Sequence, residues 1–380
     1  MENLPFTPLG TNEKVITGAG PCALLEGGNV KCWSIQAFSY EDTLARGNGL
    51  EFDMGDLLPY VNFGVGVKAK AIASGGSGSN NCIITFTDQL KCWGSNVNGQ
   101  LGLGDTLIRG RAVGTMGDNL PYVNLGDGRT VKMVSCGYYS CCAIDDINQL
   151  KCWGRGLFGL GYGNTDNLGD TNTTTPNLIP AIDLGTGRYA TYLSVLSTQM
   201  CAVLDNGWVK CWGKNSGVNN NVLAVDHLDH IGDTPGEMGD NLLPINLGTG
   251  FVAQKVDCGM QGAAHCCATS TESKIKCWGA NNWGQLGYGD LVNRGDSATM
   301  GDNLPYVDVG TGLTVRKMTL GIQHTCALLS NHQVKCWGRG VGSGHGDNFL
   351  TWGDEPNEMG DNLPFTVAIT SNSSSCISLN

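Results

Sequence analysis

The stretch CALLSNHQVKCWG, Cys326 to Gly338, holds two cysteines ten positions apart, the second followed at once by tryptophan and glycine. Five further copies align on Cys-Trp: CALLEGGNVKCW at 22–33, CIITFTDQLKCW at 82–93, CAIDDINQLKCW at 142–153, CAVLDNGWVKCW at 201–212 and CATSTESKIKCW at 267–278. Their tryptophans recur at intervals of 60, 60, 59, 66 and 59 residues, which marks a repeat array with a unit of about 60 residues. A second marker keeps the same step: MGDLLP at 54–59, MGDNLP at 116–121, MGDNLLP at 238–244, and MGDNLP at 300–305 and 359–364. The units run at about 11–65, 66–125, 126–185, 186–247, 248–310 and 311–366, leaving no linker and defining one domain over 1–380.

Within each unit apolar residues alternate with period two, as in VKMVSCG, and glycine, asparagine and aspartate bound the runs, which predicts short antiparallel strands. Setting the two cysteines of a unit opposite each other creates a three-residue loop whose last residue needs a positive φ when a type I turn runs into a bulge. That residue is Gly28, Asp88, Asn148, Gly207, Ser273 or His332, and five of the six are glycine or types enriched in the left-handed region. In this register Ala327 faces Lys335, while Leu328 and Val334 share the cysteine face. Opposed positions come within about 4.5–5.5 Å between Cα atoms, inside the reach of a disulfide.

The expected bridges are therefore Cys22–Cys32, Cys82–Cys92, Cys142–Cys152, Cys201–Cys211, Cys267–Cys277 and Cys326–Cys336. Two units carry more thiols, and the simplest reading joins Cys136 to Cys141 and Cys258 to Cys266 across the preceding hairpin. Zinc is the alternative for these units, with His265 nearby, although tetrahedral sites usually draw on C-x(2–4)-C knuckles. Reduced cysteines packed as small apolar groups are a further reading, and the lack of any C-x-x-C opposes a catalytic dithiol. Cys376 is left without a partner.

At 380 residues and 41% apolar content the chain can bury a sizeable core. Its 57 glycines follow no Gly-X-Y period and point to many turns. A net charge of −11, with no lysine or arginine run to offset it, opposes capture of nucleic-acid phosphates. Neither a membrane-spanning apolar segment nor a signal peptide is visible, yet 17 cysteines favour an oxidising setting, such as the cell exterior, a cell surface or a virion.

The string of units, each with V-x(5)-G, then C/H-x-C-A, then K-C-W-G, and with GQLGLGD at 99–105 and GQLGYGD at 284–290, resembles the regulator of chromosome condensation repeat. The first and fourth units lack GQLG, and a Thr/Asn-rich loop at 162–185 stands where MGDNLP is expected. The resemblance implies an all-β, seven-bladed β-propeller of four-stranded blades. Its closing blade would combine 367–380 with 1–10, so that the terminal strands share it.

Motifs that carry chemistry are weak in this sequence. GRGLFG at 154–159 matches G-x-G-x-x-G but sits between strands with no helix to follow. His227 and His230 lie in VLAVDHLDH, the one stretch with a short-helix pattern, and read as solvent-facing. Asp233 with Asp240, Asp296 with Asp302, and Asp354 with Asp361 recur before NLP; such loops could hold calcium, but aspartates in Gly/Pro-rich loops more often cap their own turns. Lys31, Lys91, Lys151, Lys210, Lys276 and Lys335 read as structural, snorkelling or lying over a packed tryptophan. Asn172 and Asn372 begin glycosylation sequons.

These features indicate a non-enzymatic, disulfide-stapled propeller without a cofactor. Its insert loops, with Arg294, Asp296 and Trp352 as contact residues, would meet a protein or glycan partner or neighbouring subunits of an extracellular or virion assembly. Arg294-Gly295-Asp296 would serve as an adhesion tripeptide if displayed on a loop tip. The family resemblance adds two alternatives: guanine-nucleotide exchange or chromatin association, and an inhibitor-like propeller that docks on an enzyme.

Overall fold

A computed structural model describes residues 9–33, 38–47, 54–75, 79–215, 221–226, 229–259, 265–340 and 351–366. His227, Asn372, Cys376 and most of the expected closing blade, 367–380 with 1–8, lie outside the described residues.

Every repeat folds as a three-stranded antiparallel meander. The sheets are β1 (Val15–Ala19), β2 (Cys22–Leu25) and β3 (Val30–Cys32); β4 (Ala69–Ser74), β5 (Asn80–Thr85) and β6 (Leu90–Gly94); and β7 (Val131–Cys136), β8 (Ser140–Asp145) and β9 (Leu150–Gly154). They continue with β10 (Ala190–Val195), β11 (Gln199–Leu204) and β12 (Val209–Gly213); β13 (Ala253–Cys258), β14 (His265–Ser270) and β15 (Ile275–Gly279); and β16 (Val315–Leu320), β17 (His324–Leu329) and β18 (Val334–Gly338). The first strand of each sheet carries a bulge near its start, as between Val131 and Met133.

The hairpin register is the one that the cysteine spacing predicts. Cys326 faces Cys336, Ala327 faces Lys335 and Leu328 faces Val334. All six turn residues adopt positive φ: Gly28 81°, Asp88 61°, Asn148 66°, Gly207 80°, Ser273 60° and His332 66°. Gly94, the glycine of the K-C-W-G motif, has φ 109° and passes so close to the neighbouring strand that a Cβ would lie 2.9 Å from Asn80 Cα.

The expectation of four-stranded blades is corrected among the described residues. In place of a fourth ladder, the inserts after the second to sixth K-C-W return to make isolated bridges, such as Leu90 with Val123 and Gly94 with Arg109. In the units that carry it, the MGD segment interrupts the insert: its glycine has positive φ, as at Gly117 (67°), and it closes a 3-10 turn, as at Gly117–Asn119.

The sheets divide into two compact units, β1–β9 in the first and β10–β18 in the second. Middle strands such as β8 and β14 are buried along their whole length. In the first unit Leu24, Val30, Phe63, Ile83, Trp93 and Leu120 form a core cluster. Its counterpart in the second unit gathers Ile275, Leu286, Val307, Met318, Leu329 and Trp337. No helix among the described residues is long and apolar enough to cross a membrane.

Candidate binding site on the insert face

The K-C-W triplet positions the inserts. Trp93, Trp153, Trp278 and Trp337 are fully buried, and each donates its indole N–H to the insert of the preceding repeat. In Trp153 and Trp337 the acceptors are the carbonyls of Gln100 and Gln285, at 3.0 Å, which assigns the GQLG motif its role. Repeats without GQLG supply Ser39 Oγ to Trp93 (3.0 Å) and Val222 O to Trp278 (2.9 Å) instead.

The lysine before each second cysteine is buried and grips two carbonyls. Lys91 Nζ donates to Phe63 O (2.6 Å) and Gly117 O (3.2 Å), Lys210 to Leu184 O and Gly239 O (both 2.9 Å), and Lys335 to Val309 O (3.1 Å) and Gly360 O (2.7 Å). Lys31 and Lys276 repeat the pattern. In the unit lacking MGDNLP, Lys151 still finds Leu125 O (3.0 Å) and, in the Thr/Asn-rich loop, Pro176 O (2.8 Å). Burial pushes the pKa of Lys91, Lys151, Lys210, Lys276 and Lys335 down. The aromatic partner expected of the lysines is corrected for three of them: it is a ring following the MGD segment, Tyr122 at 4.6 Å from Lys91, Tyr306 at 5.0 Å from Lys276 and Phe365 at 4.8 Å from Lys335.

The acidic residues of the MGD segments hold turns. Asp240 accepts the Thr186 N–H (2.8 Å) and hydroxyl (2.6 Å), Asp302 those of Thr249 (2.6 and 2.9 Å), and Asp361 those of Thr311 (2.8 and 2.6 Å). These bonds hold all three carboxyls below the usual range. Asp296 accepts from Thr299 N (2.9 Å) and Oγ1 (2.6 Å), Asp354 from Thr351 Oγ1 (2.5 Å), and the half-buried Asp233 stands beside the loop acceptor Glu237. Among the described residues, the groups of three metal-donor atoms within 4.8 Å of one another are made of sulfur: Cys82 with Cys136 and Cys141, and Cys201 with Cys258 and Cys266.

Arg294 is not displayed as the adhesion reading requires. Its guanidinium pairs with Asp290 (2.7 and 3.0 Å), donates to Val292 O (2.9 Å) and stacks 4.2 Å from the Tyr288 ring centre. Asp105 with Arg109 and Asp42 with Arg46 build the same clamp in other repeats, so the arginine shapes its own insert. Trp352 is half-buried against the last sheet and bridges Gly338, whereas Asp296 and Asn172 are exposed. The helix pattern in VLAVDHLDH is also corrected: its described residues form turns, with Asn221 donating to Val225 O (2.5 Å) and Gly295 O (2.8 Å), and His230 accepting the Asn215 N–H (3.1 Å).

Those turns and the next insert enclose a groove of about 550 Å³ in the second unit. Its floor is apolar, from Leu223, Ile231, Leu242, Ile245 and Met300, and Asp226, Glu237 and Asp296 stand around it. Ser297 N donates to Asp226 (3.0 Å), tying the two inserts together. Burial raises the Glu237 pKa, but N–H and O–H donors, Thr234 foremost, outweigh it and hold the carboxyl below its ordinary value. MGDNLLP, with its extra leucine, lies here, and Leu243 is 75% exposed at the edge. Of the expected contact residues the groove includes Asp296; the doubled leucine was the sequence signal for the rest.

Stapled-looking hairpins, tryptophan and lysine latches and GQLG acceptors together define blades of the regulator of chromosome condensation (RCC1) type. The RCC1 repeat profile matches residues 89–144 and 277–328, and a second profile of the same repeat matches 131–160 and 315–344, so this chain carries RCC1 repeats. The ultraviolet-B receptor UVR8 of Arabidopsis thaliana is 27% identical over 81% of the chain, and the human E3 ubiquitin-protein ligase HERC2 is 24% identical over 75%. The chain spans 61% of the length of the former and 5% of the latter. In structure it is similar to human WBSCR16 (TM-score 0.63, 16% identity, 91% of this chain and 82% of that one). It is also similar to yeast RCC1 (Prp20), solved with Kap60 bound (TM-score 0.56, 15% identity, 88% of this chain and 66% of that one). These likenesses give the all-β propeller fold.

Proposed function

We propose that this protein is a non-enzymatic binding module whose insert groove takes a protein segment with apolar side chains and at least one basic group. The observation that carries this reading is the apolar floor ringed by Asp226, Glu237 and Asp296, with the exposed Leu243 at its edge. Lining of this kind, apolar with a few fixed polar groups, suits an apolar anchor and a counter-charge. RCC1-type relatives support a protein partner in general terms: Prp20 has been crystallised with Kap60. The finer parts of the proposal are a seven-bladed ring closed by 367–380 and 1–10, cysteine pairs oxidised as staples, and residence outside the cytosol or in a virion, with a glycan as the other ligand class. Selection of random peptides on the immobilised protein tests the groove. Basic-apolar sequences should be enriched, Leu243→Asp or Asp296→Lys should lower their binding at least tenfold, and Trp208→Ala, in an exposed hairpin turn, should leave it unchanged. No enrichment, or equal loss from Trp208→Ala, would overturn the reading.

A further inference from the structure

Cys141 and Cys142 are neighbours on β8, so their side chains leave opposite faces of one sheet. Cys142 pairs with Cys152 on one face, and Cys141 pairs with Cys136 on the other, which meets the preceding repeat. There Cys136 Sγ lies 3.5 Å from Cys82 Sγ, and Cys141 Sγ lies 3.9 Å from it. The second unit repeats this arrangement: Cys258 Sγ is 3.8 Å from Cys201 Sγ, with Cys266 in the same cluster. Other repeats fill the two positions differently. Against Cys22 stand Ser74 and Asn81, the latter 3.8 Å from the sulfur, while the last repeat has Leu320 and Thr325. Cysteine thus occupies both positions together, twice, each time against the pair of the preceding repeat.

We propose that these sulfurs, once reduced, form two sites for a thiophilic d10 cation such as Zn²⁺ or Cd²⁺: Cys82, Cys136 and Cys141 in the first unit, Cys201, Cys258 and Cys266 in the second. A tetrahedral zinc–thiolate centre with Zn–S near 2.3 Å places its sulfurs about 3.8 Å apart. The three cross-repeat separations, 3.5, 3.9 and 3.8 Å, fall around that edge. Water takes the fourth position, because Cys92 and Cys211 oppose Cys82 and Cys201 but lie outside the two three-sulfur groups. Asn80 Nδ2 donates to Cys141 Sγ at 3.2 Å, a bond that orients the sulfur and favours its thiolate. This arrangement is not a knuckle and cannot be read from spacing within one repeat.

The chemistry balances with a small dithiol as reductant. Each bridge receives two electrons and two protons, and the dithiol closes to its cyclic disulfide. Three thiols then release three protons as one divalent cation binds with water in the fourth position, leaving a centre of net charge 1−. The inference is independent of the groove and its partner.

The full chain, reduced with a dithiol and freed of it without air, is titrated with Cd²⁺ while the sulfur-to-cadmium absorption and the tryptophan emission are followed. Two equivalents should bind to the reduced chain and none to the oxidised one, with the emission staying that of buried tryptophan. Cys136→Ser and Cys258→Ser should each lose one equivalent, and Cys326→Ser with Cys336→Ser should keep both. Absence of binding, an equal loss in the Cys326/Cys336 variant, or cadmium uptake accompanied by exposed-tryptophan emission would overturn the proposal.

Discussion

The buried lysine is the residue that most alters the account of the repeat. Its ammonium replaces water for two carbonyls that the insert would otherwise leave buried without donors. Lys91→Met should therefore destabilise the chain by about 1–3 kcal/mol, measured as a lower urea midpoint at constant slope, whereas an unchanged midpoint would deny the latch. Asp257 is a second test. It is half-buried beside Tyr192, whose hydroxyl donates to it at 3.2 Å, and desolvation raises its pKa to about 6 despite that bond and the nearby Lys255 and Lys317. A carboxyl raised in the folded state binds more protons there than when unfolded, so stability falls as pH rises from about 4 to 6 and stays low above. Asp257→Asn should remove most of that fall, up to about 3 kcal/mol, as read from urea midpoints at pH 4.5 and 7.5. An unaltered pH slope would show that another group is responsible.

At the scale of the element, the hairpin was legible because three independent signals coincide: cysteine spacing, period-two alternation, and a turn residue suited to positive φ. Ser273 is the strained member, at φ 60°. Replacing it with glycine should stabilise by up to about 1 kcal/mol, and Ser273→Val should destabilise by more than that; thermal melts giving the reverse order would refute the turn assignment. The missing fourth strand was not legible, since four strands per blade came from the family resemblance, while the isolated bridges that replace the ladder join residues 14 to 33 positions apart across each insert. Nor could the sequence show that Arg294 folds back on Asp290, because a four-residue spacing between opposite charges says nothing about the loop that carries them. The groove needs two inserts about 60 residues apart, Ile231 to Asn246 and Asp296 to Met300, so its lining emerges only when neighbouring repeats are side by side. The sulfur clusters escaped reading for the same reason: Cys82 and Cys136 belong to different repeats.

For the whole molecule, the repeated covalent pairing is the central claim. Eight pairs of cysteines stand opposed on adjacent strands with Cα atoms 4.0–4.1 Å apart and sulfurs within bonding distance. Closing an eleven-residue loop stabilises by at most about 3 kcal/mol in the chain-entropy view, so full reduction should lower the melting temperature by well over 10 °C if even a fraction of the terms add. If the terminal segments close the ring as proposed, removing 367–380 should lower the melting temperature by several degrees without changing the hairpin pairing; no change would exclude that role. The most direct test of the account is peptide mapping of the unreduced protein by mass spectrometry. It predicts linked peptides joining Cys326 to Cys336, its five counterparts, Cys136 to Cys141 and Cys258 to Cys266. Free, alkylatable thiols at these positions, or links between any other pairs, would contradict it.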